Sequence, residues 1–381
     1  MQSADALPPP TVGLDVSEIP FSSLDVLNAP MSQSLVISQM FHLGGKISSM
    51  VEAERKGVEV HKDSYEIYKL NLITQLKMTY YNIWLIDRKI EIEQSGKDLL
   101  NDLIQSVSGL YEINKISQAD ILTLKSEIAV YETQLLIYKN QRDAELYKLN
   151  KLLGRNLDSK DVSIPQELKI EQYNFTYEEL EKKIDDNNPE LKKMNSMVEM
   201  NKAEIIANDK EKNPDLMLQG MFMRMPQGMP LTSKTPPDMI DGMGKTEYAY
   251  GLMASITLPF MPWSVDKYNA KSKELETSNL SIESERKDMQ REMYSQLKFA
   301  FVKMETSYDL IKLYTENVIP LYEKSRNSQI SQYQNNSANI NTVIDTGRML
   351  LMQKMNLYMA QQDYLMAIAE IEMLTGEYIN K

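Results

Sequence analysis

Methionine side chains are the groups in this sequence whose type and spacing most clearly suggest chemistry. Nine methionines fall between Met217 and Met261, in a stretch rich in glycine and proline. Thioether sulfurs are soft ligands that favour Cu(I) and Ag(I). Met221, Met223 and Met225 alternate along one face of a predicted strand, so they are candidate ligands for a soft metal ion. The alternative is that these methionines are flexible apolar side chains that face lipid or pack against another subunit.

No other group of residues indicates chemistry. The chain has no cysteine, which excludes disulfides, thiolate metal sites and a cysteine nucleophile. Its two histidines, His42 and His61, lack the spacing of a metal motif, and we interpret His42 as a tolerated polar residue. No nucleophile, phosphate-binding loop or catalytic carboxylate pair stands out, so the sequence predicts a protein that is not an enzyme and has no cofactor. The net charge of −12 disfavours nucleic acid as a partner.

The elements that would position the methionines come in two copies. Residues 75–83 match residues 296–304 at a shift of 221. Gly154 and Gly376, each placed to end a helix, are 222 residues apart. Agreement at nearly one offset indicates an internal duplication.

Each copy contains strand-like segments followed by a helical hairpin. Alternation of apolar and polar residues predicts strands at 31–41, 215–225 and 246–260. The predicted helices are 46–110, 118–153, 176–211, 264–331 and 341–375. The two longest would reach about 100 Å, so they need helical neighbours along their length. Pro320 is expected to kink the second of them.

The first copy is shorter than the second. Residues 8–30 occupy the place of a loop between paired strands, so the matching strand and helix are expected before residue 1. The chain is therefore expected to be truncated at its N-terminus. We divide it into an incomplete strand and loop region (1–41), a helical hairpin (42–154), a connecting segment with a helix (155–214), a β-hairpin (215–260) and a second helical hairpin (261–381).

Duplicated strand hairpins joined to long helical hairpins resemble the TolC-type outer membrane efflux proteins over almost the whole chain. The sequences SQMFHLGGKISSMVEAER, from Ser38, and ASITLPFMPWSVDKYNAKSKELE, from Ala254, resemble the strand-to-helix junctions of the branch associated with heavy-metal efflux, the CusC and CzcC type. The resemblance implies a mixed, mainly α fold. Long antiparallel coiled-coil helices would form a trimeric α-barrel, and four amphipathic strands from each subunit would form a trimeric transmembrane β-barrel.

The same resemblance implies a passive exit duct in the outer membrane, with the helical part in the periplasm and the strands in lipid. The implied partners are two further copies of the chain, a periplasmic adaptor protein and an inner-membrane resistance-nodulation-division pump. The substrate would be copper, silver or other heavy-metal ions, or drugs. The alternatives are a soluble periplasmic coiled-coil scaffold, which the amphipathic strands disfavour, and a methionine-rich copper-binding protein, which the helix lengths disfavour.

The resemblance also assigns roles to the turns that end the helical hairpins. Family members close their periplasmic end by linking the two turns, and the matching residues are Asp120, Tyr333 and Asp345. Asp120 and Tyr333 are expected to contribute to a hydrogen bond in the closed state, and three Asp345 carboxylates to narrow the pore. Ala338 stands where the family pattern has an arginine. The adaptor-docking surface is expected at Tyr111, Asn114 and Asn336.

Overall fold

The computed structural model describes residues 5–17, 32–112, 118–173, 175–225, 246–335 and 337–379. The chain forms two compact units. The sheet unit comprises Met1–Lys62 and Lys193–Arg286, and the helical unit comprises Asp63–Lys192 and Lys287–Lys381. Each unit therefore takes segments from both copies of the predicted duplication. The division of the chain into five parts stays a prediction.

The helices and strands follow the predicted order. The strands are β1 (Thr11–Ser17), β2 (Ser32–His42), β3 (Asp215–Met225) and β4 (Glu247–Ile256). The helices are α1 (Lys46–Glu112), α2 (Gln118–Leu152), α3 (Tyr177–Asn187), α4 (Pro189–Lys210), α5 (Pro262–Leu313), α6 (Ile319–Gln334) and α7 (Ile340–Thr375). All five predicted helical segments are confirmed. Two of them are interrupted, one between α3 and α4 and the other between α5 and α6.

The four strands form one antiparallel sheet in the order β1-β2-β3-β4. The pairing of β2 with β3 joins the two copies, with Leu35 opposite Phe222 and His42 opposite Asp215. The three predicted strands are therefore confirmed, and they are neighbours in space.

Strand β1 corrects the sequence analysis, which placed residues 8–30 in a loop and expected the fourth strand before residue 1. Val12, Leu14 and Val16 alternate with small or polar residues along β1. Leu14 lies opposite Leu35 of β2. Seven residues that follow three prolines give only a weak strand signal in isolation, and pairing with β2 decides the outcome.

A buried lysine organises the junction between β2 and α1. Gly44 and Gly45 adopt φ angles of +67° and +80°, which glycine tolerates best. Lys46 follows them with a side chain that is 2% exposed, and its Nζ lies 2.9 Å from Asp215 Oδ2. The other carboxylate oxygen of Asp215 lies 2.9 Å from Nδ1 of His42. The interpretation of His42 as a merely tolerated residue was therefore wrong.

The main core of the helical unit packs the connecting segment onto the second hairpin. Leu180 of α3, Leu297 of α5 and Ile371 of α7 meet in this core and are fully buried. Helix α3 begins with a capping box, in which the Thr176 side chain accepts from the backbone of Glu179 and the Glu179 side chain accepts from the backbone of Thr176. This reciprocal pair satisfies two backbone donors that the helix itself cannot.

Pro320 disturbs the second long helix, as expected, but the disturbance takes the form of a π-helical turn at Tyr314–Val318. Proline has no backbone N–H, and its ring collides with the carbonyl four residues earlier. The helix widens at this point, and the Ile319 N–H donates to the carbonyl of Tyr314, five residues earlier in the sequence. Single π-helical turns are rare and occur frequently at functional sites.

Two glycines that end helices provide a matched test of packing in the helical unit. Gly376 has a φ of +70°, and a Cβ there would lie 2.9 Å from the backbone oxygen of Asn187. Gly154 has a φ of +64° with nothing within 4 Å of such a Cβ. We expect Gly154→Ala to lower the free energy of unfolding by about 1–2 kcal/mol through backbone strain. Gly376→Ala should cost about 1–3 kcal/mol more through overpacking. Denaturant midpoints of the two variants measure the difference, and equal midpoints would contradict the packing at Asn187.

Candidate functional site

One face of the sheet carries exposed aliphatic and aromatic side chains, and we call it the apolar face. Leu14, Leu35, Phe222 and Tyr250 form a row across the four strands, because each lies opposite the next in the strand register. The side chains of Leu14, Tyr250 and Leu252 are 82%, 84% and 86% exposed. Further exposed members are Val12, Val16, Ile37, Leu218, Tyr248 and Ile256. A contiguous apolar patch of this kind indicates a membrane or protein interaction surface.

The opposite face combines small and polar residues with methionines, and we call it the methionine face. Ser34, Ala249 and Gly251 lie on it, and the hydroxyls of Thr11 and Ser38 are 2.7 Å apart. Along β3 the side chains of this face are less exposed than those of the apolar face. The two faces of the sheet therefore differ in both polarity and exposure.

The candidate metal ligands lie on the methionine face. Met221, Met223 and Met225 alternate along β3, so their predicted common face is confirmed. The same face carries Met40, Met217 and Met253. These side chains point away from the apolar face, and both the metal site and the alternative of lipid-facing or subunit-packing methionines stay predictions. The described residues contain no cluster of three or more His, Cys, Asp or Glu suited to a metal ion. Three methionines of the same stretch, Met229, Met239 and Met243, lie outside the described residues.

The sheet has two outer strands, β1 and β4. Within the described part of the chain, β1 pairs with β2 alone and β4 with β3 alone. An outer strand presents backbone donors and acceptors that can pair with another strand. Neither outer edge of the sheet pairs with another strand of the described residues.

A cluster of apolar residues joins the two helical hairpins near their ends, and we call it the hairpin-end cluster. Its buried members are Leu100, Leu103, Leu124, Ile340, Val343 and Ile344. Tyr333 packs against this cluster, and burial together with the negative charge of Asp120 raises the pKa of Tyr333 above its ordinary value. The structure thus brings the predicted gate residues Asp120 and Tyr333 into electrostatic range. The hydrogen bond between them stays a prediction.

An arginine that the sequence analysis did not single out links the two hairpins next to this cluster. Arg348 Nη2 on α7 donates to Glu127 Oε2 on α2 at 2.5 Å. Its Nη1 lies 3.9 Å from the carboxylate of Asp345, which is exposed. Glu127 and Arg348 are 221 residues apart in the chain. The partners are far apart in the sequence, so the pair could be found only from the fold.

A close approach of three helices supports this link. A Cβ on Gly96 of α1 would clash with the ring of Tyr131 on α2 and lie 2.9 Å from Leu351 on α7. A Cβ on Gly347 of α7 would lie 3.3 Å from Leu99 of α1. Glycine at these two positions lets the hairpins approach closely.

The predicted adaptor-docking residues are not placed by the structure. Asn114 and Asn336 lie outside the described residues, and Tyr111 is described only as part of the backbone of α1. Of the remaining predicted positions, Ala338 lies in the short connection between α6 and α7.

None of the helices in the described ranges combines the length and the apolar character needed to cross a membrane.

The chain has the fold of the TolC-type outer-membrane efflux channels. The CmeC outer-membrane channel of Campylobacter jejuni matches with a TM-score of 0.74 at 12% identity, over 100% of this chain and 80% of that one. The channel protein CusC matches with a TM-score of 0.74 at 12% identity, over 99% of this chain and 85% of that one. The two match equally well, so the fold alone does not single out the heavy-metal branch. These neighbours are channel proteins rather than enzymes.

A curated relative extends the likeness to sequence. Toxin and drug export protein A of Aggregatibacter actinomycetemcomitans is 22% identical over 344 residues, which cover 86% of this chain and 70% of that protein. No protein-family model matches the chain.

Proposed function

We propose that this chain is one subunit of a homotrimeric exit duct in the outer membrane. The proposal rests chiefly on the four-stranded sheet, whose apolar face is exposed and whose two edges are available for pairing. Apolar side chains on one strand face and small or polar ones on the other are typical of strands that separate lipid from a polar lumen. A soluble coiled-coil scaffold would have no use for such a sheet.

Trimer formation would pair the outer strands of each sheet with those of the neighbouring subunits. Inside a bilayer an unpaired strand edge costs several kcal/mol for each unsatisfied backbone group, so strands must close into a barrel. Pairing β4 of one subunit with β1 of the next would close the ring without any change in topology. Three subunits of four strands would make a barrel of twelve.

The orientation of the barrel follows from the two faces. The apolar face would meet lipid, and the methionine face would line the lumen. Along β3 the side chains of the methionine face are less exposed than those of the apolar face, as expected for the concave, inner side of a curved sheet. Trp263 and Phe260, just beyond β4, are largely exposed and suit the interface of the membrane with water. The helices would then continue the duct into the periplasm.

Passage through the duct would be passive, and the driving force would come from an inner-membrane pump joined through a periplasmic adaptor protein. The name of the curated relative, toxin and drug export protein A, supports an export role. Drugs and heavy-metal ions are both candidate substrates. Selectivity would then reside mainly in the pump.

Purified protein in planar lipid bilayers tests the proposal. The duct predicts discrete conductance steps, and a trimer band on gels that converts to monomer on heating. A soluble scaffold predicts neither, and it would be extracted from cells without detergent.

Closure of the duct would depend on links between the two hairpins near the hairpin-end cluster. Asp120 and Tyr333 are the links that the resemblance implies. The arginine of the family pattern is replaced by Ala338 in this chain. The Arg348–Glu127 pair, at a different position, offers a charge-assisted hydrogen bond that could take over its role. We therefore assign closure to both links together, with the exposed Asp345 carboxylates narrowing the pore.

Breaking these links should raise the conductance of the closed duct. We expect Asp120→Ala with Tyr333→Phe, and Arg348→Ala alone, each to raise the open probability by up to about a hundredfold, because partly exposed pairs contribute at most about 1 kcal/mol each and a trimer carries three copies. The charge-reversed double variant Glu127→Arg with Arg348→Glu should restore the original value. Lys354→Ala is the matched control, because its partner Glu323, 2.9 Å away, belongs to the same hairpin. An unchanged conductance in both test variants would exclude this gate.

The methionine face makes copper or silver a specific candidate substrate. Thioethers lining the lumen would bind Cu(I) or Ag(I) weakly enough to release them. Calorimetric titration of the trimer with Cu(I) should give a heat signal that is lost when Met221, Met223 and Met225 are changed to Leu. Changing the exposed Met349 and Met352 of α7 to Leu should leave it intact. Equal heats before and after the strand substitutions would reject the site.

A further inference from the structure

Helices α1, α2 and α7 enclose a groove of about 560 Å³ in the helical unit, and we call it the Glu93 groove. Most of its lining residues are apolar, namely Ile92, Val130, Tyr131, Leu351, Met352 and Met355. Binding sites for small molecules commonly have volumes of about 300–1,000 Å³ and apolar walls that carry a few polar groups. The groove has the size and the lining of such a site.

One of the charged residues of this groove has no counter-charge. Arg348 and Glu127 line the groove and pair with each other, as described above. Glu93 of α1 also lines it, and its carboxylate makes no hydrogen bond or ion pair with any of the described residues. The groove therefore carries one negative charge that the described part of the chain leaves unpaired.

The lysines one turn before and one turn after Glu93 interact with other groups. Lys97 Nζ lies 2.7 Å from Oε1 of Glu132, and Lys89 Nζ lies 5.6 Å from the centre of the Tyr138 ring. Burial raises the pKa of the Glu93 carboxyl above its ordinary value, and no cation of the described residues opposes this effect. A half-buried carboxylate without a partner is unfavourable, so a cation bound in the groove would stabilise it.

The Tyr131 ring favours the same kind of ligand. Burial, and next the negative charge of Glu93, raise the pKa of Tyr131, so these two side chains lie within electrostatic range of each other. Gly96 lets the ring pack against the backbone of α1, because a Cβ at this position would clash with it. An aromatic ring attracts a cation placed over its face, so two independent groups of the groove select for positive charge.

The lining also restricts the rest of the ligand. A hard metal ion would not fit, because it takes about six oxygen ligands and Glu93 is the one unpaired carboxylate among the described lining residues. An uncharged apolar molecule would bury this carboxylate further and leave it unpaired. A cation with an apolar body meets both requirements, because its body covers the apolar walls while its charge pairs with Glu93. Lipophilic amines, which are protonated at neutral pH, are molecules of this kind.

We propose that the Glu93 groove binds a small lipophilic ammonium ion. The Glu93 carboxylate accepts a hydrogen bond from the ammonium group, the Tyr131 ring faces that group, and Met352 and Met355 contact the apolar body. This binding site does not depend on the proposed duct, and its tests measure binding rather than conductance.

Three ligands that share a naphthalene ring test the charge preference. Naphthylmethylamine is a cation at neutral pH, naphthylmethanol is its uncharged analogue, and naphthoate is an anion. Calorimetric titration of the detergent-solubilised full chain should show that the amine binds about tenfold more tightly than the alcohol, because it gains a charge-assisted hydrogen bond. Naphthoate should give no measurable binding, because Glu93 repels its charge. If the amine binds no better than the alcohol, the proposal is wrong.

The variant Glu93→Gln keeps the shape of the side chain and removes its charge, so it should bind the amine no more tightly than the alcohol. Its thermal midpoint without ligand should equal or exceed that of the wild type, because the unpaired, half-buried charge is gone. Glu66→Gln is the matched control. Glu66 lies on the same helix but is exposed and pairs with Lys69, so this variant should keep the wild-type preference for the amine. A full preference for the amine in Glu93→Gln would contradict the proposal.

A steric block locates the ligand. Val130 lines the groove from α2 and is 52% exposed, so the larger side chain of Val130→Trp fills the groove without disturbing the core. This variant should bind the amine and the alcohol more weakly, and unchanged binding would overturn the proposal. The oligomer size of Glu93→Gln, measured by native mass spectrometry, tests whether the groove holds another copy of the chain instead. A shift toward monomer would also overturn the proposal, whereas an unchanged size supports it.

Discussion

Replacing Leu252 with arginine is expected to prevent stable assembly of this protein in the membrane. Leu252 lies near the middle of β4 on the apolar face, opposite Gly220. An arginine on the lipid face of a barrel strand costs about 2–4 kcal/mol at the bilayer midplane. Because each trimer would carry three copies, the total cost is about 6–12 kcal/mol. Most of the variant should therefore fail to reach the heat-modifiable trimer in membrane fractions.

The neighbouring residue supplies the control for Leu252→Arg. Met253 is the next residue of the same strand and is also exposed, but its side chain lies on the methionine face. An arginine there would enter the polar lumen, so Met253→Arg should assemble almost as the wild type does. Equal assembly of the two variants would show that the two faces of β4 do not separate lipid from water.

Replacing Asp215 with asparagine should destabilise the sheet unit by about 3–5 kcal/mol, because it leaves a buried ammonium without its main counter-charge. Lys46 Nζ lies 2.9 Å from Asp215 but 3.5 Å from its other acidic partner, Glu211. Glu211 is more exposed than Asp215 and cannot replace it fully. Hydrogen exchange of β2 and β3 amides measures the loss locally.

A double variant separates the charge effect from general damage to the junction. Lys46→Met with Asp215→Asn removes both charges, so it should recover much of the stability lost by Asp215→Asn alone. Glu52→Gln on the surface of α1 breaks an exposed ion pair with Arg55 and should leave exchange unchanged. If the double variant is no more stable than the single one, the buried lysine is not the cause.

The sequence predicted the elements that carry strong periodic signals. Strand 215–225 is long enough for its alternation of apolar and polar residues to be recognised. Helix 118–153 is long enough for its apolar residues, spaced three and four apart, to be recognised. Strand β1 was missed because its seven residues become a strand through pairing with Ser32–Ser38 of β2. Local pattern carries no information on that long-range pairing.

The residues that the sequence analysis missed are those whose role depends on burial or on a distant partner. Arg348 is an ordinary charged residue of α7 until the fold brings it against Glu127. His42 was underestimated because Asp215, its partner, is 173 residues away in the chain. For Met221 the common face was predictable, but the separation from the apolar face required the register of the sheet.

Electron microscopy of the purified protein in lipid nanodiscs tests the central claim most directly. Averaged end-on views should show threefold symmetry about a central opening, because the described part of each chain brings four strands whose outer two would pair with those of neighbouring copies. Averages that show solid particles of single chains, with no opening along any axis, would contradict the account.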